Sequence, residues 1–274
     1  MKKCLLIVLG LSFIFVKINC EEELSARQDG LNSKSSSYIS YVEFLSLNQA
    51  YTTIEESILT KQEIIKYTKE KVEKSKNSVY CLFHKNGQCV QIKNAKKRVQ
   101  YFFASSQGYY LYTNKLKTPL KISGSYKVEE SEIQDILKTD FQNEYKIIEE
   151  SDAQLVLEKV GGKSIYKFII FEVGIHTENS FSTSQNVKEG GYSLTFCDNK
   201  KNKVRRLVYY KGVVDGFSVF KQIDVYNLLF KKGEYMSWQT VSMQKAIVPA
   251  SLFTFSKIKQ LTEQMARILE SKDK

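Results

Sequence analysis

"LVYYKGVVDGFSVFKQIDVYN", Leu207 to Asn227, reads as two β-strands joined by a Gly-containing bend, and it contains nothing that resembles a catalytic motif. β-branched and aromatic residues dominate it, as they do on pleated, half-buried surfaces. Working outward, the same texture returns on both sides. "VYCLFHKNGQCVQI", "KRVQYFFASSQGYYLYT" and "PLKIS" precede it, with Asn-Gly, Ser-Gln-Gly and Pro as punctuation. "YKIIEES", "AQLVLEKV", "SIYKFIIFEV", "YSLTFCDN" and "EYMSWQTVSM" supply further strands. About ten short strands with regular turn signals predict one strongly curved antiparallel sheet rather than alternating βα units. The fold class expected is α+β: an incomplete β-barrel with helices covering its concave face.

Three stretches break the strand pattern. Between Tyr38 and Lys76, Ile54, Ile58, Ile64, Ile65 and Val72 fall near helical spacing and predict one or two amphipathic helices. "SEIQDILKTDFQNEY" predicts a short helix whose stripe is Ile133, Ile136, Leu137 and Phe141, with Ser131 as cap. "SKIKQLTEQMARILESKDK" predicts a terminal helix capped by Ser256. Gly174 to Gly191 is a polar insert longer than an ordinary hairpin loop.

Composition bounds the rest. The 274 residues are 42% hydrophobic and 26% charged, with 17 tyrosines and 16 phenylalanines against 2 prolines and 1 tryptophan. A chain of this length can bury a sizeable core, and its aromatic content favours a sheet. Residues 1–20 place Lys2 and Lys3 ahead of an apolar run from Cys4 to Val16, too short for a permanent span of about 20 residues, and read as an export signal. Cys20 is then either the acylated first residue of a lipoprotein or the last residue before ordinary cleavage. Residues 21–37 are polar, Ser-rich and aperiodic, a flexible leader; residues 38–274 form one domain.

The formal charge is +11, and three of the 41 basic residues lie in the signal, leaving +8. These lysines are scattered rather than interleaved with stacking platforms, which argues against nucleic acid and leaves an anionic membrane surface as a partner. Cys81 and Cys89 flank a hairpin turn: with a two-residue Asn-Gly loop they fall out of register, so they are either bridged across a wider loop or a free pair. No spacing fits a metal site or a cofactor. His84 sits beside that turn and His176 in the polar insert, neither near a nucleophile. Gly161-Gly162-Lys163-Ser164 superficially resembles a phosphate loop but falls between strands. Asp135, Asp140 and Glu144 share a predicted helix face, where solvation explains them better than acid–base work.

An open curled sheet exposes an apolar face that helices or a ligand must cover. Alternate strand residues Tyr110, Tyr112, Phe168, Ile170, Leu207 and Tyr209, with Ile136, Leu137 and Phe141 on the helix, are the candidate lipid-binding set; ordinary core packing would use the same residues.

The order of pieces carries a resemblance. An exported chain with an N-terminal helix, then "GYYLYTNKLKTPLKIS", "DILKTDFQNEY", "LVLEK", "YSLTFCDNKKNKVRRLVYYKG" and "VPASLFTFSKIKQL" resembles the outer-membrane lipoprotein-sorting proteins, the LolA/LolB-like superfamily. Asp198, Tyr210, Gly212, Val248, Pro249, Leu252 and Phe253 stand at the matching places, over roughly Ile54 to Leu261. The resemblance implies a non-enzymatic periplasmic carrier or acceptor that holds lipoprotein acyl chains in transit to the outer membrane. The alternative is a membrane-anchored interaction or regulatory module binding an acidic partner through its lysines. A hydrolase on the same scaffold has the least support.

Overall fold

A computed structural model of the chain describes residues 35–49, 56–105, 107–128, 131–133, 141–162, 164–173, 191–229 and 234–271. The export signal, Cys20, most of the leader, Ile54, Asp135, Ile136, Leu137, Asp140 and His176 lie outside them.

The quoted stretch is the hairpin of β14 (Lys203–Val214) and β15 (Phe217–Asn227), turning through Asp215 and Gly216, both at positive φ. Its bend also hides a bulge. Tyr210 pairs with Gln222 but Lys211 pairs with Phe220, so Lys221 is the extra residue and the inward set of β15 changes parity there.

Around this hairpin the strands join antiparallel. In chain order they are β1 (Ser57–Tyr67), β2 (Val72–Lys74), β3 (Ser78–His84), β4 (Gly87–Lys93), β5 (Val99–Ser105), β6 (Gly108–Tyr112), β7 (Leu120–Ile122), β8 (Lys127–Val128), β9 (Ser131–Glu132), β10 (Tyr145–Glu150), β11 (Gln154–Lys159), β12 (Phe168–Val173) and β13 (Gly191–Cys197), with β16 (Tyr235–Ala246) after β15. One 14-stranded sheet runs β10-β11-β12-β13-β14-β15-β16-β1-β3-β4-β5-β6-β7, with β2 paired to β1 and β8-β9 a separate ribbon. Its two ends do not meet, consistent with an incomplete barrel.

Of the one or two helices predicted between Tyr38 and Lys76, one is present as α1 (Ser36–Gln49), while the stripe residues from Ile58 to Val72 are corrected: they lie in β1, the strand that joins β16 to β3, and in β2. Ile58 and Ile64 face one side of the sheet and Leu59 the other, so a strand buried on both faces imitates a helical spacing. Ser36 opens α1, two residues before the expected domain start, and Ser35 and Ser36 hydrogen-bond Glu150 and Asp152. Of the second predicted helix the structure describes α2 (Phe141–Glu144), while Ser131 belongs to β9 rather than to a cap. The terminal helix is α3 (Ile258–Glu270); Ser256 lies in a 3-10 turn before it and does not cap it.

Two apolar layers result. On one face, α1 packs with Tyr41 and Phe44 among inward residues of β11 to β15. On the opposite face, α3 sets Ile258, Leu261 and Met265, all fully buried, against Leu59, Leu82, Cys89, Phe103, Tyr110 and Tyr112. They are called here the α1 face and the α3 face.

Candidate functional site

The α1 face is built from strand register. Side chains paired across neighbouring strands line up in rows, because each rung places its partners on the same side. One row runs Ile64, Trp238, Ile223, Tyr209, Tyr192. The next runs Met236, Val225, Leu207, Leu194, Phe171, Leu155. A third begins with a charge: Arg205, then Phe196, Ile169, Leu157 and Ile147. Together they make an apolar surface spanning eight strands, β1 and β10 to β16.

α1 seats on these rows by one ring. Phe44 is fully buried, with ring centroids of Tyr209, Phe220, Phe141, Phe171 and Tyr192 at 5.2, 5.3, 5.4, 5.6 and 5.6 Å. Tyr41 adds an edge contact to Phe171 at 5.1 Å. Polar ties flank the ring: Glu43 accepts from Tyr192 Oη at 2.5 Å and from Lys211 Nζ at 2.7 Å. The Lys211 hydrogen bond, helped by Tyr192, holds the Glu43 carboxyl below its ordinary range, and burial pushes the Tyr192 phenol up. The outward side of α1 leaves Ile39 and Val42 exposed.

A polar strap crosses the same face. Ser131 Oγ accepts from the Trp238 indole at 3.1 Å, and Glu132 accepts from Arg205 Nη2 and from Tyr166 Oη, each at 3.1 Å. Arg205 is 3% exposed, so this pair sits inside the apolar layer. Beyond the rows, at the end of β1 and β16, a pocket of about 550 Å³ has Ile64 and Met236 as its apolar lining and Lys66, Glu73, Lys74, Ser75, Lys76 and Asn77 around them.

The predicted lipid-binding residues divide. Phe141, Leu207 and Tyr209 do meet on the α1 face. Tyr110 and Tyr112 lie on the other side, under α3, and Tyr112 lines a second pocket of about 590 Å³ with Tyr101, Lys115, Lys117 and Lys259. Phe168 and Ile170 are one residue out of phase with Ile169 and Phe171, which take the inward places; the ammonium groups of Lys167 and Lys201 stand 5.8 and 5.4 Å from the Phe168 ring. Sequence reading missed Phe44, which lies in a helix placed ahead of the stretch read as helical, and Phe171 and Tyr192, whose only signal is a strand parity that "FIIF" and "GYSLTF" leave undetermined.

Other sequence candidates resolve into structure. Cys81 and Cys89 are buried thiols in no disulfide, and they face opposite sides of the sheet: Cys81 pairs with Val90 and Leu82 with Cys89, because the hairpin turns at Lys85-Asn86. The bridge is therefore excluded by the pleat. His84 is buried, stacked on Phe253 at 4.6 Å, with Nδ1 accepting from the Asn86 amide. Asp198 closes its own turn by accepting from the Lys200 and Asn202 amides, both at 2.8 Å. Val248, Leu252 and Phe253 pack under α3. Glu144 accepts from the Ser164 amide. Among the described residues no three His, Cys, Asp or Glu side chains form a metal-holding group, and no helix is long and apolar enough to cross a membrane.

Among the described residues Asp224 is a further buried acid, on the opposite side of β15 from Ile223 and Val225. Burial raises its carboxyl above the usual range against hydrogen bonds from Ser237, Gln222 and Tyr210. Around it Tyr67, Tyr235 and Tyr226 stack at 4.5 and 4.8 Å.

This architecture has solved counterparts. The chain is similar to a LolA superfamily protein from Nitrosomonas europaea, at 16% identity and a TM-score of 0.56, covering 76% of this chain and 94% of that one. It is similar to an outer membrane lipoprotein-sorting protein domain from Vibrio parahaemolyticus, at 14% identity and 0.51, covering 77% and 95%. A DUF1329 family protein from Desulfovibrio piger matches at 13% identity and 0.54, covering 81% and 99%. No protein-family model matches the sequence, and no curated protein matches it. The likeness in fold to the LolA superfamily holds at identities where it speaks for the fold alone.

Proposed function

We propose that this protein is an exported, non-enzymatic carrier or acceptor of acyl chains, serving the sorting of lipoproteins to the outer membrane, with the α1 face as the binding surface. The observation that carries the reading is the continuity of that face. Its apolar rows run from Leu155 across to Met236, and Met236 and Ile64 are also the apolar lining of an open pocket. Hydrocarbon can therefore begin at the pocket and extend along the rows wherever α1 gives way.

The energetics allow exchange. Each methylene taken from water contributes roughly 0.8 kcal/mol, so six buried methylenes offset the roughly 3–5 kcal/mol that withdrawing a buried phenylalanine costs. Phe44 would leave its socket as a chain enters it. The similarity to a lipoprotein-sorting domain supports the cargo class, and the apolar segment at residues 4–16 supports export.

Depletion tests the role. Lipoproteins of the outer membrane should accumulate in the inner membrane, and the purified protein should carry extractable acyl lipid. Normal lipoprotein distribution together with lipid-free protein would overturn the reading.

A further inference from the structure

The acyl face does not account for where this chain keeps its charge. Lysines occur along the whole sequence, but acids do not: from Lys74 to Val128 there are eleven Lys and Arg and no Asp or Glu. The chain has 41 basic and 30 acidic residues, so everything outside this segment holds 30 of each, and the formal +11 belongs to the segment alone. It builds β3 to β8 and the turns between them.

Register gathers much of that charge at one end of the sheet. Ser78 opens β3 opposite Lys93, the last residue of β4, and Lys93 pairs with Val99, the first of β5. Tyr101 pairs with Tyr112, the last residue of β6, and Leu111 with Leu120, the first of β7. The β4–β5 turn and the β6–β7 loop therefore project from the same end, the first with Lys96, Lys97 and Arg98, the second with Lys115 and Lys117. All five are exposed, and none has an ion pair among the described residues. Asn94 fixes the first turn: its side-chain oxygen accepts from the Lys96 and Arg98 amides, both at 3.0 Å, and Lys97 stands at a φ of 59°. Gly or Asn takes that left-handed backbone at least cost, yet a lysine occupies it.

α3 completes the rim. Lys259 stands with Lys115 and Lys117 around the pocket of about 590 Å³, with Tyr101, Tyr112, Leu116 and a single acid, Glu263, in the same lining. Leu120 beside them is 55% exposed.

Like charges gathered without carboxylates repel one another in the folded chain, and an anionic partner removes that cost. The cations stand on separate connections along one end of the sheet, which suits a plane of charge rather than a single strand tracked along a groove. Leucine and tyrosine among lysines have the texture of a bilayer interface, where apolar groups enter the headgroup layer and ammonium groups stay in water. We infer that this end of the sheet is a docking surface for an anionic lipid bilayer, with Lys96, Lys97, Arg98, Lys115, Lys117 and Lys259 against the headgroups. The surface goes beyond the acyl site and does not depend on it, but it gives that site a place. Ser75, Lys76 and Asn77, in the lining of the pocket at Ile64 and Met236, lead straight into Ser78 opposite Lys93. Docking brings the mouth of the α1 face to the membrane.

Flotation of the purified protein with vesicles tests the surface, one set made of phosphatidylcholine alone and one of phosphatidylcholine with phosphatidylglycerol. The anionic set should bind roughly a hundredfold more tightly and lose that advantage at high salt. Lys96→Gln with Lys97→Gln, and Lys115→Gln with Lys117→Gln, should each weaken binding to the anionic set by roughly thirtyfold, the effect of two lysines at such a surface. Lys221→Gln with Lys245→Gln removes the same charge elsewhere, Lys245 lying opposite Ile58 at the other end of β1, and should weaken it by less than about threefold. Unaltered melting temperatures would confirm folded variants. Equal binding to the two vesicle sets, or as large a loss in the Lys221 and Lys245 pair, overturns the docking surface. Capture of polyglutamate in place of anionic vesicles overturns it too, in favour of an acidic polypeptide. Uptake of a fluorescent fatty acid from solution reads the acyl site separately, so vesicle binding that fails while uptake persists strikes the docking surface alone.

Discussion

Phe44→Ala asks whether α1 is a cover or a pillar. The ring is fully buried among five others at 5.2 to 5.6 Å, so its truncation removes the largest apolar contribution α1 makes to the sheet. A phenylalanine-to-alanine change at such a site costs about 3–5 kcal/mol. Of the polar ties that remain, Glu43 to Lys211 and Ser35 to Glu150 are exposed and add little, and the part-buried bonds of Tyr192 to Glu43 and Ser37 to Ser151 add about 1 kcal/mol each, less than the ring. The helix is 14 residues long and depends on packing rather than on its own propensity. Docking of α1 should therefore fail first. Hydrogen exchange is the assay: 4 kcal/mol corresponds to roughly a thousandfold faster exchange for amides of residues 36–49. Protection in β13 to β16 should persist, and uptake of an apolar fluorescent probe should rise as the rows are uncovered. Loss of protection throughout the sheet would show that α1 is integral to the core and would refute the idea of a displaceable cover. Unchanged exchange in α1 would refute the role given to the ring.

Three further outcomes follow from particular contacts. Arg205→Met strands the Glu132 carboxylate in the apolar layer and should cost about 3–5 kcal/mol in urea unfolding, with the Arg205→Met, Glu132→Gln pair recovering much of the loss. Asp224 has a raised folded pKa, so its contribution to stability is complete below the ordinary value of 3.8 and disappears as pH rises through the folded value. Asp224→Asn should accordingly be the more stable protein at pH 7 in thermal melts and should flatten the pH dependence above pH 4; lower stability there would contradict the assignment. Cys81 and Cys89, buried on opposite sides of the sheet, should react with a thiol reagent only upon unfolding, and a reductant should leave the melting temperature of the folded protein unmoved.

Much of the sheet was legible in the sequence because turns announce themselves. The hairpin of β14 and β15, the pair "VQYFFASSQGYYLY" and the terminal helix α3 follow from Gly-containing bends and from a strong apolar stripe. β1 was not legible. Its opening residues Ser57 to Thr60 are buried on both faces, which erases the alternation that would separate a strand from a helix. The candidate site residues scatter over both faces for a related reason. Where "FIIF" and "YYLY" are apolar at every position, a shift of one residue exchanges the two faces, and Phe168, Ile170, Tyr110 and Tyr112 do not share the face of Leu207 and Tyr209. Bulges compound this. Val241 in β16 and Lys221 in β15 each reverse parity partway along a strand, and neither has a local signature. Leu207 and Tyr209 fall on the α1 face although Arg205 and Lys211, of the same parity in β14, are charged, so no local polar alternation fixes that phase.

The central claim is that hydrocarbon lies on the α1 face. Photo-crosslinking of a diazirine-bearing fatty acid, followed by peptide mass spectrometry, locates it directly. The account predicts label on Ile64, Met236, Leu207 or Tyr209, and heavier label there in Phe44→Ala. Label confined to Tyr112 and α3, or no label in either protein, would contradict it.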